Sequence, residues 1–129
     1  MPERRVTLFM IEDSLDCIAS LRDVIERDGR IHLVGYTDSI KARGQGDLAR
    51  LLQDGQVIDV ISLDGKLVDG YTDQESVDQI AALAPDAVLI GHSSFSMTFN
   101  GIEADLPKGK YPGSKMIGAV VDLVTRRSG

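Results

Sequence analysis

The feature that most constrains this chain is an alternation. Short, largely apolar runs at Val6–Ile11, Ile31–Tyr36, Val57–Leu63 and Ala87–Ile90 are separated by segments whose apolar residues recur at helical spacing. Runs of this length suit strands covered on both faces. Leu15, Ile18, Leu21, Val24 and Ile25 predict a first helix, with Ser14 able to cap its start and Asp28-Gly29 to end it. The polar, glycine-bearing stretch Thr37–Gly46 reads as a loop. A short helix follows from Asp47, facing Leu48, Leu51 and Leu52 inward. A third helix has capping-box spacing at Thr72-x-x-Glu75, an apolar face of Val77, Ile80, Ala81 and Ala84, and a stop at Pro85. Ile102–Leu106 predicts a weak fifth strand. The last helix runs from Gly113 or Ser114 to Arg126, with Met116, Ile117, Val120, Val121 and Val124 on one side.

This order predicts one α/β domain over residues 1–129, a parallel sheet with helices on both faces. No repeat or linker interrupts it. A hydrophobic content of 43% permits a core without disulfides or structural metal. The single cysteine, Cys17, precludes an internal disulfide and a cysteine-based metal site, and it fits a reducing, cytoplasmic setting. No signal-peptide pattern and no membrane-spanning stretch is expected. A net charge of −6 and a pI near 4.8 argue against a nucleic-acid groove, which needs a basic face.

Two of the runs end on acids. Leu8–Ile11 stops at Glu12-Asp13, and Val60–Leu63 stops at Asp64, about fifty residues later. In a parallel α/β sheet the ligand crevice lies beyond the carboxyl ends of the strands. The fold would therefore gather Glu12, Asp13 and Asp64 in one crevice. Their mutual repulsion is relieved if a cation sits among them. Mg2+ prefers such oxygen ligands and also neutralises a transferring phosphoryl group. A carboxylate beside it can act as nucleophile and form an acyl phosphate.

The stretches "FMIEDS" and "VISLDGKLVDG" resemble the receiver domain of two-component response regulators, and the resemblance runs over nearly the whole chain. It implies a flavodoxin-like, doubly wound five-stranded parallel sheet in the order 2-1-3-4-5. It implies that Glu12 and Asp13 help hold Mg2+, with Asp13 the more direct ligand. Asp64 would accept a phosphoryl group from a sensor histidine kinase or a histidine phosphotransfer protein. Lys66 would offer its backbone carbonyl to the metal. Ser93 would be the hydroxyl after the fourth strand, with His92 or Ser94 as neighbours in register. Lys108 would be the phosphate-contacting lysine, with Lys110 its competitor. The signal would pass to a downstream protein target.

The pattern departs from that family in several places. Val68 stands where a proline is common, and the loop after the second strand is long. Only fourteen residues separate Ser93 from Lys108, too few for a full fourth helix plus a fifth strand. "SFSMTFNG" has no helical face, and Asn100-Gly101 signals a turn. The fourth helix is therefore expected to be missing or reduced. Asp105 occupies the place of the family's aromatic switch residue, and Gly109 that of a proline. Phe95, Met97, Phe99 and Tyr111 are then either a partner surface or caps on the core.

Plainer readings stand beside these. Acids after an apolar strand commonly mark a solvated strand end, and a lone serine there is more often a cap. His32 and His92 read as too isolated for a metal site, and Cys17 as a small core residue. The main alternative is a receiver-like protein–protein interaction module that is not phosphorylated. A phosphohydrolase using Asp64 is weaker, because Lys66 stands where its general acid would be.

Overall fold

The structure is a computed structural model and describes residues 4–128. Seven strands and four α-helices follow one another: β1 (Val6–Ile11), α1 (Leu15–Asp28), β2 (Ile31–Thr37), α2 (Gln45–Gln53), β3 (Val60–Leu63), β4 (Lys66–Leu67), β5 (Gly70–Tyr71), α3 (Gln74–Leu83), β6 (Val88–Gly91), β7 (Ile102–Asp105) and α4 (Gly113–Ser128). Five strands form one parallel sheet in the order β2-β1-β3-β6-β7. With β6 and β7 as its fourth and fifth strands, this is the expected flavodoxin-like order 2-1-3-4-5. The short β4 and β5 pair separately as an antiparallel hairpin just past Asp64.

Side chains alternate across a strand, and here each face meets its own helices. Phe9, Ile11, Ile61, Leu63 and Leu89 pack with Leu48 of α2 and Val77 and Ile80 of α3. Leu8, Met10, Val60, Val88 and Ile90 pack with Ile18, Leu21 and Ile25 of α1 and with Met116, Ile117 and Val120 of α4. The central strands are buried on both faces, which is why they read as unbroken apolar runs.

Local signals hold at several ends. Ser14 Oγ accepts from the Cys17 amide and caps α1, and Gly29, at φ 77°, closes it. Two expectations are corrected. The stretch read as a loop over Thr37–Gly46 instead holds the end of β2 and a π-helical turn, Ile40–Gly44, that runs into α2. Ile40 is buried, and the Asp69 carboxylate accepts from the amides of Lys41 and Ala42 at the turn's start. The cap of α3 is Asp73, whose carboxylate accepts from the Ser76 amide, and not Thr72.

The expected loss of the fourth helix is found: no helix lies between β6 and β7. The connecting segment folds back so that Met97 lies over Gly91 and joins the α2–α3 core. A Cβ on Gly91 would stand 2.3 Å from that of Met97, so only glycine admits the contact.

Candidate functional site

β1 and β3 are neighbours, so their ends lie side by side. The Asp64 amide donates to the Ile11 carbonyl, which holds the two chain exits in register. Glu12, Asp13 and Asp64 each bring a carboxylate oxygen within 4.8 Å of the others. Glu12 and Asp64 are buried and Asp13 is exposed. This acidic group could hold a metal ion, and its all-oxygen donor set suits a hard cation.

Lys108 follows β7 and reaches the same point. Its Nζ lies 2.6 Å from Glu12 Oε1 and 3.3 Å from Asp64 Oδ2. Lys110 is exposed and turns back into the same loop, its amide donating to the Pro107 carbonyl. Ser93 is fully buried just past β6. Its Oγ accepts from the Gly65 and Phe95 amides, and the hydroxyl lies near enough to Asp64 to favour its charged form. Ser94 is exposed. Asp64 Oδ1 also accepts from the Gly65 amide at 2.7 Å. A Cβ on Gly65 would meet Ser93 Oγ at 3.0 Å and Met97 Sδ at 3.2 Å, so the glycine after Asp64 lets the two loops close on each other.

Lys66 opens the hairpin, two residues past Asp64. Its side chain is exposed, with Nζ 6.0 Å from the centre of the Tyr71 ring. Thr72, expected as a helix cap, instead donates its hydroxyl to the Asp64 carbonyl at 2.7 Å. Its amide donates to the Gly65 carbonyl, which ties the hairpin's end to the site.

The charges are strongly coupled. Burial pushes Glu12 up to about 7, and the neighbouring Asp64 adds to this against the pull of Lys108. Burial also pushes Asp64 up, but hydrogen bonds from Glu12 and Ser93 together with the Lys108 ammonium outweigh it and bring Asp64 below its ordinary value. Of the two neighbouring carboxyls, Glu12 is thus held above its ordinary value and Asp64 below it. Burial disfavours the Lys108 charge, yet its two carboxylate partners hold its value above the ordinary one.

The structure also brings together residues that the sequence kept apart. Cys17, in the first turn of α1, and His92, just past β6, both meet Glu12. The Cys17 sulfur, a Glu12 carboxylate oxygen and a ring nitrogen of His92 all lie within 4.8 Å of one another. Cys17 packs against the core of α1 and α4, as expected of a small core residue, and His92, which reads as isolated in the sequence, has Glu12 and Cys17 as neighbours in the fold. No local pattern could reveal a contact between residues 75 positions apart.

No family profile matches the chain, and no curated protein matches it by sequence. Solved structures do match its fold. A response regulator from Thermotoga maritima aligns at a TM-score of 0.68 and 13% identity, over 95% of this chain and 99% of that one. The response regulatory domain of mrkE from Klebsiella pneumoniae aligns at 0.68 and 17% identity, over 94% and 97%. The RcsB response regulator of Salmonella typhimurium aligns at 0.70 and 15% identity over 94% of this chain, which spans only 60% of RcsB. Across nearly its whole length, then, this chain has the fold of a response-regulator receiver domain, with an acidic cluster that resembles the receivers' phosphorylation site.

Proposed function

We propose that this chain is a receiver that accepts a phosphoryl group on Asp64 in a Mg2+-dependent reaction. The observation that carries the reading is the meeting of an ionised Asp64 with Lys108 and Ser93 at the acidic cluster of Glu12 and Asp13. The donor is a phosphohistidine on a sensor histidine kinase or histidine phosphotransfer protein. An Asp64 oxygen attacks phosphorus, the phosphorus–nitrogen bond breaks, and the imidazole leaves with its electron pair. The product is an acyl phosphate, which water later hydrolyses. Glu12, Asp13, Asp64 and the Lys66 carbonyl are the residues to hold Mg2+, whose role is to offset the charge of the transferring group. The Lys108 ammonium, already 3.3 Å from Asp64, pairs with the phosphoryl oxygens. Ser93 takes both its acceptor bonds from backbone amides, so its hydrogen is free to turn toward the phosphoryl group.

The rim suits a protein donor. Leu15 beside Glu12 and Asp13, and Tyr71 and Phe95 beside Lys66 and Gly65, are all at least half exposed. Tyr71 and Phe95 stack edge to face at 6.0 Å. Loose aromatic and aliphatic side chains around a polar crevice mark a place where a partner seats. The same rim would serve the alternative, an interaction module that binds a partner without phosphorylation.

Intact-mass analysis after incubation with acetyl phosphate separates the two. Phosphorylation gives a Mg2+-dependent gain of one phosphoryl group that Asp64→Asn abolishes. A folded protein with no gain at any Mg2+ concentration would overturn the reading in favour of the interaction module.

A further inference from the structure

Cys17 and His92 have no part in phosphoryl transfer, yet they converge on one of its carboxylates. Three elements supply the group: Glu12 from the end of β1, Cys17 from the first turn of α1, and His92 from the end of β6. Their ligand atoms lie within 4.8 Å of one another. Glu12 and His92 are more than nine-tenths buried. We propose that Glu12, Cys17 and His92 form a site for a thiophilic divalent cation of the Zn2+ class, beside the all-oxygen site and sharing Glu12 with it.

The donor types argue for the ion. Sulfur and imidazole nitrogen are poor ligands for Mg2+ and good ones for Zn2+ and Co2+, and a carboxylate completes a familiar mixed set. The orientation of His92 argues for it too. Its Nε2 lies 3.0 Å from the Tyr111 carbonyl. A carbonyl only accepts, so Nε2 carries the hydrogen and Nδ1 keeps a lone pair. Metal-binding histidines are commonly fixed in this way, with the second ring nitrogen donating to a backbone carbonyl. Tetrahedral coordination at ordinary Zn2+ bond lengths places ligand atoms roughly 3.5 Å apart, so atoms now within 4.8 Å of one another need to close by roughly 1.3 Å at most. Three protein ligands leave a fourth position for water.

The charge balance also favours a dication. Glu12, Asp13 and Asp64 face a single neighbouring ammonium, that of Lys108. Binding releases the thiol proton and any proton on Glu12 to solvent, which leaves four negative charges, those of Glu12, Asp13, Asp64 and the Cys17 thiolate, against the three positive ones of the dication and Lys108. Lys108 holds Glu12 Oε1, whereas Oε2 accepts from the Ser14 amide, at 3.3 Å. A shared Glu12 makes the two sites antagonistic, so a thiophilic ion would slow Mg2+-dependent phosphorylation. That consequence rests on the proposed function; the binding does not.

Co2+ is the probe, titrated into the reduced full chain without oxygen. The expected result is a thiolate-to-cobalt charge-transfer band in the near ultraviolet, saturating at one ion per chain and lost on adding Zn2+. Cys17→Ser removes the band, and His92→Gln weakens Co2+ binding at least tenfold. Asp64→Asn keeps the band, because Asp64 is not among the three ligands, and so separates this site from the phosphoacceptor reading. Absence of the band in the unaltered chain, or its persistence in Cys17→Ser, overturns the proposal. So does Co2+ affinity unchanged in His92→Gln.

Discussion

Replacing Lys108 by methionine keeps most of its unbranched apolar stem and removes its charge. The ammonium stands 2.6 Å from Glu12 and 3.3 Å from Asp64, both nearly buried. At an effective dielectric of ~20 these contacts correspond to about 6 and about 5 kcal/mol of attraction, before the cost of desolvating three charges. That cost offsets much of the sum, and breaking such a cluster typically destabilises by about 3 kcal/mol. The loss should depend on pH. Glu12 titrates at about 7 in the folded chain, above its ordinary 4.5. The folded state therefore holds an extra proton in this window, and the stability tied to it is complete below 4.5 and lost as pH rises through 7. Without Lys108 the Glu12 value rises further, so the fall continues to higher pH. At pH 5 Glu12 is already largely protonated in both proteins, and only the Asp64 contact is forfeited. Urea unfolding in metal-free buffer should show a loss of about 1 kcal/mol at pH 5 and about 3 kcal/mol at pH 8. Equal losses at the two pH values would refute the shared burial of these three charges.

Mg2+ should stabilise Lys108→Met more than the unaltered chain, seen as a larger rise in Tm at pH 8, because the variant's carboxylates lack a resident cation. Gly91→Ala forces a Cβ into Met97 and should cost about 1–3 kcal/mol in urea unfolding. Thr72→Val removes the hydroxyl bond to the Asp64 carbonyl, and the same measurement should show a loss of about 1–2 kcal/mol. Gly29→Ala meets open space but must hold φ near 77°, so its expected cost is about 1 kcal/mol, without any change in the site.

The parts of the fold that were legible are those set by local periodicity. Strands buried on both faces appear as apolar runs, and Ser14 and Gly29 act on their own helix. The missing helix was legible by counting residues between Ser93 and Lys108. What escaped depends on distant partners. The π-helical turn at Ile40 is held by Asp69, and Thr72 gives up its cap position because its hydroxyl is used at Asp64. The hairpin strands, two residues each, are too short to carry a pattern. At the site, Glu12, Asp13 and Asp64 could be read from the strand ends they follow, whereas Ser93 and Lys108 were reached through the resemblance to receivers, and the structure brings both beside Asp64. Cys17 lies in a helix and His92 is masked by the serine beside it, so only folding reveals that both reach Glu12.

The unusual segment between β6 and β7 is built around the site. Ser93 Oγ is fixed by the amide of Gly65 from one side and of Phe95 from the other. Two residues beyond Phe95, Met97 is pinned over Gly91, and its amide donates to the Asp105 carboxylate. The hydroxyl beside Asp64, the exposed Phe95 ring and the end of β7 are therefore joined through consecutive residues of one loop. Ser93 Oγ holds the Gly65 and Phe95 amides at the same 3.1 Å, and Phe95 carries the aromatic edge shared with Tyr71. Asp105 is bonded to the loop backbone, and its other oxygen, Oδ1, is buried without a hydrogen-bond partner. An aromatic ring there could not make the bond to the Met97 amide. The absent helix and the absent aromatic are thus one structural choice: the carboxylate holds in place the loop that replaces the helix, and the loop places the hydroxyl.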